Sequence, residues 1–159
     1  MSIDEISASY VDVHCHLTGG EYGDIGGLIE KIESVGVKKV ITAGFDLSSS
    51  EAGAELSERY LCVYFTAGFH PTELKKYGEG DLERIEALLN HPKCVALGEI
   101  GLDYHYDDTD KTLQHELFLR QLEIAARAGM PVQIHSRDCA EDMFVLLKEH
   151  AALLSNGAL

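Results

Sequence analysis

The run Tyr10-Val11-Asp12-Val13-His14-Cys15-His16 alternates apolar residues with polar ones. In a strand, side chains at i and i+2 leave the same face, so Asp12, His14 and His16 point one way and Val11, Val13 and Cys15 the other. Two imidazoles side by side at the end of a buried strand make half of a site for a divalent transition metal. The alternative is a pair of hydrogen-bonded histidines on a loop.

Working outward, short apolar runs alternate with amphipathic stretches. Strands are expected at Tyr10 to His14, Lys39 to Ala43, Cys62 to Ala67, Cys94 to Gly98 and Val132 to His135. Helices are expected between and after them. Ile25 to Val35 places Leu28, Ile29, Ile32 and Val35 on one face, and Ser48 to Tyr60 opens on a serine run suited to capping. Leu82 to Leu89, Thr109 to Ala128 and Cys139 to His150 follow, and Gly36 and Gly129 stand where helices take a left-handed residue. Strict β-α alternation implies a parallel sheet covered by helices. Asn156-Gly157 reads as a turn, so Ala158-Leu159 would begin a sixth strand. A closed (β/α)8 barrel takes roughly 250 residues, and this chain of 159 supplies about five βα units.

Composition narrows the function classes. Lys plus Arg is 13 and Asp plus Glu is 27, a formal charge of −14. A surface this acidic should repel nucleic acid unless cations are bound locally, which argues against a basic nucleic-acid-binding face but leaves room for an enzyme that holds a phosphate through metal ions. No apolar run reaches the ~18–20 residues of a membrane span. The start, Met1 to Tyr10, lacks the basic and apolar regions of a secretory signal, so a cytoplasmic protein is expected. Cys15, Cys62, Cys94 and Cys139 form no CxxC pair and read as buried thiols.

Titratable groups recur where strands end: His16-Leu17, Gly68-Phe69-His70-Pro71, Gly98-Glu99-Ile100-Gly101-Leu102-Asp103-Tyr104 and Ile134-His135-Ser136-Arg137-Asp138. Parallel α/β folds build their sites at this end. Glu99 stands in an apolar segment and must be paired, either with metal or with Arg137. One carboxylate can bridge two ions about 4 Å apart. His135 can reach a second ion. Arg137 offers a planar fork to an anionic substrate or to Glu99. His70 orients a phosphate or a water, or else caps its loop. Asp12 and Asp103 suit the task of holding histidines in one tautomer, and Asp138 that of capping the next helix. His91, His115 and His150 fall in or at the ends of helices and read as structural.

The blocks Asp12-Val-His-Cys-His-Leu17, Gly68-Phe-His-Pro71, Gly98-Glu-Ile-Gly-Leu-Asp-Tyr104 and Ile134-His-Ser-Arg-Asp138 resemble the TatD family of metal-dependent hydrolases, in order and in spacing. The segment Gln114 to Leu122, with Phe118 and Gln121-Leu122, resembles the family's helix between the third and fourth blocks. The resemblance implies a TIM-type barrel with two divalent ions (Zn, Mn or Mg) and a deoxyribonuclease, typically a 3′→5′ exonuclease, with DNA, or else RNA, as substrate. His14 and His16 would bind one metal, Glu99 would bridge both, and His135 would help bind the other. His70, Asp103 and Arg137 would line the pocket, with Glu99, as catalytic groups.

The resemblance also implies a histidine on the next strand and an aspartate after later strands, and no counterpart of either follows here. Residues 1–159 are therefore expected to form a single hydrolase domain truncated before the last strands of the barrel. Such a chain would have an incomplete second metal site and an open sheet edge through which it could associate. Two rival readings are a non-catalytic, partner-binding fragment and an amidohydrolase-type enzyme cutting amides or esters. The Gly98 to Tyr104 block, and the want of a lysine at a strand end, favour the TatD side over the latter.

Overall fold

The computed structural model describes residues 9–159; the acidic start through Ala8, read above for targeting signals, lies outside the described residues. Strands and helices alternate. They are β1 (Tyr10–Cys15), α1 (Ile25–Ser34), β2 (Val37–Thr42), α2 (Leu47–Arg59), β3 (Val63–Ala67), α3 (Asp81–Leu88), β4 (Cys94–Asp103), α4 (Lys111–Ala128), β5 (Val132–Arg137) and α5 (Ala140–Glu149). Two 3₁₀ turns, Pro71–Lys76 and Ala151–Leu154, complete the set. The five strands pair in chain order, all parallel. Ala158 bridges Val132 in parallel, and the Leu159 amide donates to the Val132 carbonyl at 2.9 Å, so a sixth strand begins where the turn at Asn156-Gly157 placed it.

The sheet is curled as part of a barrel. Gln133 on β5 donates through Nε2 to the Val13 carbonyl of β1 at 3.1 Å, and Thr66 of β3 donates to its Oε1 at 3.4 Å. First and fifth strands can share one side chain only if the sheet bends around it. Outside the curl, Phe65, Leu97, Ile100 and Leu102 of the strands pack with Phe118, Leu122 and Ala125 of α4 in one core. That face of α4 is apolar except at Gln114 and Gln121, which are nevertheless buried.

Four details differ from expectation. β4 is ten residues long and carries Glu99 within it, because Gly98 and Gly101 continue the strand where they suggested a loop. β1 is exposed: Tyr10, Val11 and Val13 are uncovered, since β1 is an edge and α1 packs chiefly over β2 and Cys15. The segment after His70 is a 3₁₀ turn begun by Pro71. The cap of α2 is Asp46 rather than a serine of the following run; Ser49 returns the bond to complete a capping box. The cysteines are free as expected, Cys15 half-buried and the other three buried. Among the described residues no helix is long and apolar enough to cross a membrane.

Asp46 does two jobs. Its Oδ1 accepts from the Ser49 amide at 2.7 Å, and its Oδ2 pairs with Lys76 Nζ at 2.7 Å, tying α2 to the 3₁₀ turn beside His70. Asp46→Ala should cost about 1–3 kcal/mol in urea unfolding. Burial pushes the Asp46 carboxyl up, but the bonds from Lys76 and Ser49 outweigh it and leave the group below the usual carboxylate range. Its contribution is therefore complete above about pH 4 and fades as pH falls through the lower folded value. The gap between native chain and variant should narrow in acid, and a constant gap would contradict the pairing.

Candidate metal centre

Imidazoles from three strand ends meet one carboxylate at the carboxyl-terminal mouth of the sheet. His14 lies one residue before the end of β1 with His16 just beyond the strand, His70 follows β3, and Glu99 and His135 sit in β4 and β5. Glu99 Oε2 lies 3.4 Å from His14 Nε2 and 3.8 Å from His16 Nε2, and those two nitrogens are 3.2 Å apart. Glu99 Oε1 lies 3.0 Å from His135 Nδ1 and 3.8 Å from His70 Nε2. Each carboxylate oxygen thus faces its own pair of imidazoles.

This donor set fits divalent cations. Tetrahedral metal–nitrogen bonds of about 2.0 Å put ligand atoms about 3.3 Å apart, close to the separations in the His14–His16–Glu99 trio. The second trio, His70, Glu99 and His135, also brings its ligand atoms within 4.8 Å of one another.

The protonation pattern suits ligation at Glu99 and His70, while at His135 it favours the ion pair with Glu99. Burial pushes the Glu99 carboxyl up, but the hydrogen bond to His135 and the charges of His70 and His14 outweigh it, leaving it below the usual range and ionised at neutral pH. Burial, with the neighbouring His135, takes His70 down to about 4, so its imidazole is neutral at pH 7, as ligation requires. The hydrogen bond with Glu99 raises His135 against the effect of burial.

Supporting residues explain the geometry. Asp103 Oδ2 sits 2.9 Å from His135 Nε2 and fixes that ring from the side away from Glu99. Gln114 accepts from the Asp103 amide at 2.9 Å and donates to the Pro71 carbonyl at 3.2 Å. Gln121 accepts from the Phe69 amide at 2.8 Å and returns a bond to the Phe69 carbonyl. Two amides from one face of α4 thereby bracket His70. The detectable signal was a pair of glutamines seven apart, two helical turns, within an apolar stripe.

Two residues behave otherwise than expected. The Asp12 carboxylate accepts from the His14 backbone amide at 3.1 Å and holds the chain rather than an imidazole. Asp138 adopts φ +54° and pairs with His105 at 3.0 Å; the N-cap of α5 is Cys139, which makes no side-chain cap bond. Arg137 lies over the Tyr106 ring at 5.8 Å, so the alternative ion pair with Glu99 is not the arrangement adopted. His70 caps its loop, with Nδ1 accepting from the Thr72 amide, which leaves the ring proton on Nε2 facing Glu99; ligation through Nε2 would need that proton on Nδ1, where the Thr72 hydroxyl lies 2.7 Å away. His91 accepts from the Lys93 amide and His115 bonds Tyr104, both away from this cluster.

The TatD related DNase family profile matches residues 11–157. The chain belongs to the TatD family. It is 36% identical over 149 residues to the uncharacterized metal-dependent hydrolase YabD of Bacillus subtilis, covering 93% of this chain and 58% of that protein. It is 32% identical over 137 residues to the 3′-5′ ssDNA/RNA exonuclease TatD of Salmonella typhimurium, covering 86% and 53%. The crystal structure of YjjV, a TatD homologue from Escherichia coli, superposes with a TM-score of 0.80 at 32% identity, over 89% of this chain and 56% of that one. The chain therefore spans little more than half the length of these TatD relatives, and the curled parallel sheet is the corresponding part of their fold.

Proposed function

We propose that this chain forms the metal-holding part of a phosphodiesterase acting on DNA, trimming single strands from the 3′ end. The observation that carries the reading is the splayed carboxylate of Glu99, each oxygen turned to its own pair of histidines. His14, His16 and Glu99 would hold one divalent cation, and Glu99, His135 and His70 a second. Such ions supply a water of lowered pKa and neutralise charge on the phosphoryl oxygens. Asp103 keeps His135 oriented from its other nitrogen. Arg137, exposed at the same mouth, orients the phosphate. The acidic surface is no obstacle, since cations in the pocket and not a basic face would hold the substrate. The names of the relatives support nucleic acid as the substrate class.

The test is metal content by elemental analysis together with hydrolysis of a fluorescent single strand, for this chain and for a form extended past Leu159. Bound divalent metal and hydrolysis that stops in excess EDTA are expected, with the longer form more active because it would bring further ligands. Undiminished hydrolysis in EDTA would overturn the reading.

A further inference from the structure

Beside the histidine cluster lies a cavity of about 520 Å³, between the 3₁₀ turn after β3 and the loop after β4. Pro71, Leu74, Leu113 and Tyr106 give it apolar walls, and Thr72 and Asp108 add polar groups. It adjoins a cavity of about 370 Å³ that contains His16, His70 and Glu99; Thr72 and Glu73 line both. A groove therefore leads from the candidate metal ligands past Thr72, whose hydroxyl sits 2.7 Å from His70 Nδ1, to Tyr106.

Tyr106 is 52% exposed, so its ring is open to a partner along the groove. It is also held in place. His105 packs edge-on against it with centroids 5.1 Å apart, and His105 is tied to Asp138 at 3.0 Å. The Arg137 guanidinium lies over the ring, and the Tyr104 amide donates to the Arg137 carbonyl at 2.9 Å, locking this loop to β5. A fixed aromatic ring with a guanidinium beside it is the combination that stacks a base and holds the phosphate next to it. The far rim carries Asp108 and Asp110, with Lys75 paired to Asp108 at 2.9 Å. Those carboxylates repel phosphate and can accept from the amino groups of bases. The cavity's size lies in the range of small-ligand pockets.

We propose that this cleft is a nucleobase subsite, in which Tyr106 stacks the terminal base of a single strand while the neighbouring phosphate lies toward Arg137 and Glu99. The inference rests on the phosphodiesterase reading and extends it to a defined end of the substrate, because the acidic rim admits a base and turns away a continuing backbone.

The experiment uses the full chain, a short fluorescein-labelled DNA strand with phosphorothioate linkages, and the same strand abasic at its 3′ terminal nucleotide. Binding is read by anisotropy. Tyr106→Ala should weaken binding of the intact strand roughly tenfold and leave the abasic strand unaffected, while Tyr106→Trp binds the intact strand as the native chain does. Equal losses on both strands, or none on either, overturn the subsite. Metal-dependent cleavage of bis(para-nitrophenyl) phosphate is measured in parallel. Cleavage without discrimination between the strands overturns the subsite alone and leaves the phosphodiesterase reading intact. Discrimination with no cleavage supports the subsite and removes the phosphodiesterase reading.

Discussion

Replacing Glu99 with glutamine is expected to abolish metal-dependent hydrolysis and to weaken metal binding by more than about a hundredfold. Losing only a hydrogen-bonding partner of a ligand typically costs about 10–100-fold in metal affinity, and Glu99 is the group common to both candidate trios. Glutamine keeps the shape and one acceptor for His135, so the fold should persist; what disappears is the single negative charge facing four imidazoles. His150→Ala is the matched control, since His150 ends α5 and belongs to neither trio. Metal stoichiometry, far-ultraviolet circular dichroism and strand hydrolysis measured together separate a lost site from a lost fold. A Glu99→Gln chain that retains its metal would sink the bridging role.

Much of this site is legible in the sequence, and the reasons are local. The i, i+2 spacing of His14 and His16, and an acidic residue in the apolar segment around Glu99, are consequences of strand geometry and of the cost of burying charge. What escaped depended on neighbours. The exposure of Val11 and Val13 follows from β1 being an edge, which periodicity along one segment does not report. β4 was expected to stop at Gly98; the register with β5, which pairs Ile100 to Asp103 with Ile134 to Arg137, carries it on to Asp103. His70 was read as lining the pocket, yet it stands as close to Glu99 as His16 does, because Gln114 and Gln121 fasten the chain on either side of it. Those contacts span 43 and 52 positions in the sequence, beyond the reach of any motif. Asp138 and Arg137 point to the same lesson: each found its partner, His105 or Tyr106, on the neighbouring strand's loop.

Gly101→Ala should be the most damaging single methyl group in the sheet. Gly101 sits opposite His135 in the β4–β5 register with φ +149°, a conformation that side chains rarely adopt. A Cβ there would lie 2.0 Å from the His135 carbonyl oxygen and 2.9 Å from its carbonyl carbon. Both atoms are backbone of the β4–β5 ladder, so no rotamer change relieves the clash and β5 must move away. That movement would carry His135 away from Glu99 and Asp103, coupling a packing defect to the candidate metal site. Gly129→Ala isolates the conformational part of the effect: its φ is +67°, and nothing lies within 4 Å of the added carbon. The left-handed backbone alone costs about 1–2 kcal/mol, whereas Gly101→Ala should exceed about 4 kcal/mol or prevent folding. Urea midpoints of the two variants decide the matter. If they shift equally, β4 and β5 do not approach as closely as described, and the placement of His135 beside Glu99 loses its foundation.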